Sequence, residues 1–532
     1  MKKIICVFLA LIIAVSCASG VYGIAVGRGG ATNLPTMYIS GQGTNLRAAN
    51  SNGGWTADLI YPPKYDINEI LDSVNLLHKP FAKGVMTGNW DDWCDTFVDI
   101  IVPLFEQFAM DENGNTVTPV YYGETNISKD FRDENGKIDM ATYFYEYDWR
   151  ADPVESTVRL NNYIKRLLNK QKNYKKVNIV GRCIGGNVLL SYLSNYDVSN
   201  INSVAFYCEG FEGFEIIGKL FTGDVSIDAA ALSRFADDYL SDGEYRDDEL
   251  YEMLTDLISI LNTMKALGVA VDTFDNIYDK VYANVVPRIL RKSFGLMPSF
   301  WGLVGDKYYE DAKKFVFGDE IDTTYAELVK KIDNFHYNYL LRYKEIVNNA
   351  VDRGVKVYNV TKYGLQIFPT GGDSFIQSDT ILETFSASGG ATCCGINAKF
   401  TDEYLSSADP RYISADKQID ASACLLPEHT WFIKNNSHMY MPGEADKMIS
   451  YILDSEDYLS APDCDKYPQY MFFVKDTEEL VPLTEENGDT FKKTGFFARL
   501  RSFFKHLFNI ISDFINERIE EIKAKKNPPT TE

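Results

Sequence analysis

Lys176-Val177-Asn178-Ile179-Val180-Gly181-Arg182-Cys183-Ile184-Gly185-Gly186-Asn187-Val188-Leu189-Leu190 runs from an apolar, β-rich segment through a G-x-C-x-G-G turn straight into a helical pattern. In a nucleophile elbow the reactive residue sits on a strained strand-to-helix turn, with glycines two before and two after it where side chains would clash. Cys183 occupies that position here. The turn also aims the amino terminus of the new helix at the site, which stabilises a thiolate and developing negative charge. A structural cysteine in a glycine-rich turn is the plainer alternative. The strand before it, the helix after it and a third glycine at 186 favour the elbow.

Further short apolar or aromatic runs lie at Thr36–Ser40, Tyr143–Tyr147, Val204–Tyr207, Val355–Val360 and Thr430–Ile433, with helical stretches between them. Strands covered on both faces read as nearly continuous apolar runs, and their alternation with helices predicts an α/β fold with a mostly parallel sheet. Residues 63–115 read as helical ahead of a polar turn at Asp111-Glu112-Asn113-Gly114. Residues 209–350 hold several helices and no convincing strand. They are expected to form a helical cap inserted between the strands near 207 and 355, a common place for substrate selection. The core is then expected at 21–208 and 351–480.

The chain has 532 residues, 45 % of them hydrophobic, enough for a large buried core. It carries 53 basic against 75 acidic residues, a formal charge of −22. Phosphate recognition runs on Lys and Arg, so nucleic acid is excluded as the main partner. Only 5 histidines are present, which shortens the search for a catalytic base.

A thiol nucleophile needs a base, and elbow enzymes place nucleophile, acid and histidine in that chain order. Downstream of Cys183 lie His336, His429, His438 and His506. His336 falls in the cap and His506 in a terminal helix. His429 immediately precedes the strand Thr430–Ile433, at the wrong edge of a parallel sheet. His438 follows that strand in Lys434-Asn435-Asn436-Ser437-His438, at the edge where the elbow lies, and is the expected base. The acid should follow the preceding strand. Asp373 and Asp379 both do, and Asp379, in Ser378-Asp379-Thr380-Ile381-Leu382, is preferred. Oxyanion donors are expected from the backbone N–H groups of Ile184 and of Gln42, the latter in Gly41-Gln42-Gly43-Thr44 after the first strand. Scattered histidines offer no close ligand pair, so neither a metal nor a cofactor is expected.

The opening residues, Met1 to Gly20, combine two lysines, an apolar run from Ile4 to Val15 and small residues, the pattern of a secretory signal peptide over 1–20. A secreted, extracellular protein is expected. Cys17, after Ala14-Val15-Ser16, loosely matches a lipoprotein box and leaves a cell-surface lipoprotein as the alternative. Cys94, Cys183, Cys208, Cys393, Cys394, Cys424 and Cys464 remain after such a leader. That odd number is compatible with three disulfides and one free nucleophile, and Cys393-Cys394 suits pairing, with Cys424 among the partners. At the other end, Phe496, Phe497, Leu500, Phe503, Phe504, Leu507, Ile511, Phe514, Ile515, Ile519 and Ile522 recur at three- and four-residue steps. They predict an amphipathic helix within 490–526, docking on the body or a partner chain, or making peripheral membrane contact through 496–522.

With these residues in hand the chain resembles the lecithin:cholesterol acyltransferase family of α/β-hydrolases. The carrying residues are Tyr147-Asp148-Trp149-Arg150 at a strand end, the elbow at 181–186, Met297-Pro298-Ser299-Phe300-Trp301 in the cap, Tyr363-Gly364, Asp379 and His438, in order over about 35–455. The resemblance implies an α/β-hydrolase fold and a triad of Cys183, Asp379 and His438. The family uses Ser where this chain has Cys183. Locally, G-R-C-I-G-G is similar to the box of polyhydroxyalkanoate synthases, acyltransferases of the same superfamily with a Cys nucleophile. Those are intracellular polymerases, and the leader and the YDWR stretch argue against that identity. The expectation is therefore an exported acyltransferase or esterase/lipase-like hydrolase acting on a lipid or hydrophobic acyl ester through a thioester. The rival expectation is an inactive binding protein on a hydrolase scaffold.

Overall fold

The computed structural model describes residues 30–41, 46–52, 54–61, 75–106, 108–122, 132, 135–139, 143–225, 282–368, 375–396, 398–438, 440–475 and 477–488. The leader 1–20, Gln42, the middle of the insertion, Asp373, His506 and the helix expected within 490–526 lie outside them. The chain divides after Leu483, and of its second unit only a short helical turn, Glu485–Gly488, is described.

The core is one sheet of eight strands: β1 (Thr36–Ile39), β2 (Tyr143–Tyr145), β3 (Val177–Arg182), β4 (Ile201–Tyr207), β5 (Lys356–Tyr363), β6 (Thr430–Lys434), β7 (Tyr470–Val474) and β8 (Glu479–Pro482). In space they run β2-β1-β3-β4-β5-β6-β7-β8. Every neighbouring pair is parallel except β7 and β8. The molecule is thus mixed α/β with a largely parallel sheet. All residues of β1, β3 and β6 are buried, which requires cover on both faces and accounts for their unbroken apolar runs.

The order reverses between β1 and β3. β2 leaves the sheet edge, α1 (Pro153–Lys170) returns the chain to β3, and α2 (Ile184–Asn195) leads on to β4. Such a switch point opens a crevice beyond the carboxyl ends of the strands. α1 starts where its chemistry dictates: Asp152 accepts from the Val154 N–H at 2.8 Å as N-cap and Pro153 takes the first helical position.

Between β4 and β5 the described residues are helical and contain no strand. They comprise α3 (Glu215–Thr222), residues 282–290, α4 (Pro298–Trp301), α5 (Asp306–Phe317), α6 (Ala326–Phe335) and α7 (Tyr343–Asp352). Aromatic rings join this insertion internally, with Trp301 packed edge-on to Phe221 at 5.0 Å and stacked on Phe317 at 5.1 Å. The YDWR stretch connects it to the sheet. Arg150 and Asp148 form a buried ion pair at 2.8 Å, Arg150 also donates to Phe108 O at 2.9 Å, and the Ser299 N–H donates to Arg150 O at 3.3 Å. Among the described residues no helix is long and apolar enough to cross a membrane.

Candidate active site

Cys183 stands between β3 and α2 with φ 50° and ψ −129°, a left-handed conformation that is costly for any residue with a Cβ. The turn is tied into the sheet, because the Cys183 N–H donates to Tyr207 O at 3.1 Å. Close packing explains the glycines that follow. A Cβ on Gly185 would lie 2.3 Å from Ile39 O, which is fixed backbone, and one on Gly186 would lie 1.7 Å from Glu209 Oε2, so a side chain there would have to displace the Glu209 carboxyl. Ile184 opens α2, where the first N–H groups have no intrahelical acceptor and the helix end carries partial positive charge. Its N–H is therefore available to a developing oxyanion.

His438 and Asp379 meet this thiol from the loops after β6 and β5. His438 Nδ1 lies 2.7 Å from Asp379 Oδ2, and Cys183 acts on the same ring strongly enough to raise its proton affinity, which leaves Nε2 as the nitrogen for the sulfur. The backbone reinforces the pairing: the His438 N–H donates to Asp379 O at 2.7 Å, and the other carboxylate oxygen accepts from the Leu382 N–H at 2.8 Å and the Ile381 N–H at 3.2 Å. Burial opposes the charge on Asp379, yet His438, Lys362 and the Leu382 N–H together hold its carboxyl below the usual carboxylate range. Burial likewise opposes an imidazolium, but Asp379 and Cys183 outweigh it and raise His438 to about 9. Cys183 is the partly exposed member of the three, while Asp379 and His438 are buried. Phe214 packs edge-on against the His438 ring at 5.9 Å and screens it from water.

Backbone strain concentrates here. Six non-glycine residues among those described have positive φ, and four of them, Cys183, Cys208, Thr380 and Asn435, sit in the turns that build this site. For Thr380, at 91°, the β-branched side chain makes the conformation especially unfavourable. Such residues persist where the surroundings over-determine them, and they cluster at functional sites.

The structure adds side chains that the sequence reading missed. Cys208 and Glu209 follow β4 directly, as Cys183 follows β3, and that shared sheet edge was the signal that could have found them. Burial pushes the Cys208 thiol up to about 12. Burial, helped by Cys183, raises Glu209 well above the carboxylate range, and its Oε2 has no hydrogen-bond partner. Cys208 Sγ, an Asp379 oxygen and a His438 nitrogen lie within 4.8 Å of one another, a mixed set of one thiol, one carboxylate and one imidazole donor. The buried cations Lys362 and Arg182 act on the same Cys208 thiol, so a metal ion would enter an already positive pocket.

The other expected residues fall elsewhere. His336 is buried in a π-helical turn after α6, stacked on Tyr309 at 3.6 Å with Nε2 3.0 Å from Asp306 Oδ1. His429, ahead of β6, stacks on Tyr458 at 3.5 Å and bonds Leu459 O through Nδ1 at 2.7 Å. Tyr147 of the YDWR stretch donates to Ser40 O at 2.8 Å, bracing the strand end beside Cys183. The pairing of cysteines is corrected: all seven described cysteines, Cys94, Cys183, Cys208, Cys393, Cys394, Cys424 and Cys464, are free thiols. Four of them are buried within a core that already packs without cross-links.

No family model matches the sequence, and no curated protein matches it. Among solved structures, the crystal structure of the Tle4-Tli4 complex aligns with 62 % of this chain and 74 % of that chain, at 8 % identity and a TM-score of 0.24. A likeness of that degree carries no argument about function.

Proposed function

We propose that this chain is an α/β-hydrolase-type enzyme, akin to the lecithin:cholesterol acyltransferase family, that transfers or hydrolyses the acyl group of a lipid or other hydrophobic ester. One observation carries the proposal: the hydrogen-bonded pair His438–Asp379 converges on Cys183 at the carboxyl edge of a parallel sheet, with Cys183 on a strained turn. The high proton affinity of His438 equips it to take the Cys183 proton as the sulfur attacks. The sulfur attacks the acyl carbonyl and the Ile184 N–H steadies the oxyanion, with Gln42 the proposed second donor. As the carbon–oxygen bond breaks, His438 Nε2 gives its proton to the leaving alkoxide, and a thioester remains on Cys183. Water or an acceptor hydroxyl then yields its proton to His438, attacks the thioester and restores the thiol. The resemblance carried by the YDWR stretch and the elbow supports a hydrophobic ester as substrate, and the leader pattern at 1–20 supports export.

Activated acyl esters of graded chain length, followed by quenching and intact-mass spectrometry, test this reading. One acyl adduct per chain is expected, absent in Cys183→Ala and slowed at least about 10²-fold in His438→Ala. No adduct and no hydrolysis across the series would overturn it in favour of a binding protein.

A further inference from the structure

The loop that carries His438 is gripped from below by two buried cations. Lys362, near the end of β5, donates from Nζ to Ser437 O and to Tyr440 O, both at 2.7 Å. Arg182, the last residue of β3, donates from Nη2 to His438 O at 3.0 Å. Three carbonyls bracketing the base are thus held by side chains that are 1 % and 5 % exposed. Among the described residues Lys362 forms no ion pair. Its two hydrogen bonds both go to this loop, and its remaining contact is the face of the Tyr207 ring, 4.9 Å away. Removing a lysine charge from water costs several kcal/mol, and charge-assisted bonds to carbonyls recover that cost only where the acceptors are fixed. Arg182, Cys208 and Asp379 are the charged and titratable groups that act on Lys362. Of these, Asp379 is the residue His438 must face.

We propose that Lys362 and Arg182 are positioning residues for His438, a two-cation clamp that fixes the base loop by its carbonyl oxygens. The clamp thereby sets both the Asp379 and the Cys183 contacts of the ring. Neither side chain reaches the reacting atoms; each grips the loop by its carbonyls, and Lys362 in addition favours the charged form of Asp379. This inference rests on reading His438 as the base of a triad.

The test uses the full chain with Lys362→Met, which keeps side-chain length and removes the donor, and Lys362→Arg, which restores charge. Nitrogen-detected NMR of the histidine rings, with His438 assigned by its loss in His438→Gln, reports on the clamp without any substrate. In Lys362→Met the His438 titration is expected to fall from about 9 toward the ordinary value of 6.5. Acylation of Cys183 should drop about 10²-fold in kcat with little change in KM, because a displaced base misaligns the reaction without weakening binding. Lys362→Arg should recover most of both. A folded Lys362→Met with an unchanged His438 titration overturns the proposal. Should that variant not fold, amide exchange in the unmodified protein decides. The His438 amide must exchange as slowly as the amides of β6, and exchange at the rate of an open loop overturns the clamp. Acylation that is absent even from the unmodified protein, with the NMR results as expected, would refute the acyl chemistry and leave the clamp standing.

Discussion

The carboxyl group of Glu209 lies directly over the Cα of Gly186, so close that a methyl group there would stand 1.7 Å from Oε2. Gly186→Ala should therefore force the first turn of α2 or the Glu209 side chain to move, at a cost of about 2 kcal/mol. Glu209→Ala removes the obstacle. A double-mutant cycle in urea should show the pair compensating by at least about 1 kcal/mol, and strict additivity would refute the contact.

The same carboxyl makes a statement about pH. Its folded-state pKa is raised well above the ordinary value of 4.5, so the folded protein keeps this proton longer than the unfolded chain does. The associated stability is complete below about pH 4.5 and is lost as pH rises toward the folded value. Glu209→Gln, already neutral, should match the unmodified protein near pH 4 and be more stable at pH 8. Urea midpoints across that range are the measurement, and parallel curves would contradict the assignment.

His438 predicts a second window. With a folded value of about 9 against 6.5 unfolded, its contribution is whole below pH 6.5 and is lost as pH rises through 9, about 3 kcal/mol over the interval. His438→Gln should flatten that part of the stability profile. Asp379→Asn should do the same, because burial is then no longer outweighed, and it should slow acylation of Cys183 by about 10²- to 10⁴-fold.

Strain at Cys183 should be measurable by itself. Cys183→Gly and Cys183→Ala both remove the sulfur, but only glycine accepts φ 50° and ψ −129° without penalty. The glycine variant should be the more stable of the two by about 1 kcal/mol, after allowing for its greater freedom when unfolded. Equal stability would mean the turn is not strained.

Six strands were legible as apolar runs, and the structure arranges them as neighbours in one sheet. The run at 470–474 escaped notice because Pro468 beside it weakens a strand signal, and β7 with β8 extended the sheet beyond the expectation. Cys183, Asp379 and His438 could be found because each lies just past a recognisable strand or turn. Lys362 and Glu209 could not, since each is an ordinary polar residue in sequence and becomes unusual only when the surrounding chain buries it. Arg182 was hidden differently: it sits inside the motif, where attention falls on the cysteine beside it.

β8 has a consequence for how the protein behaves in company. Among the described residues no further strand follows it in the sheet, and it spans just Glu479–Pro482, opening on a carboxylate and closing on a residue that lacks an N–H. A second copy that tried to lengthen the sheet there would find a short, charged and incomplete template. Long-range repulsion between chains of charge −22 works in the same direction. The large parallel sheet is thereby protected at this margin against growing from molecule to molecule into filaments.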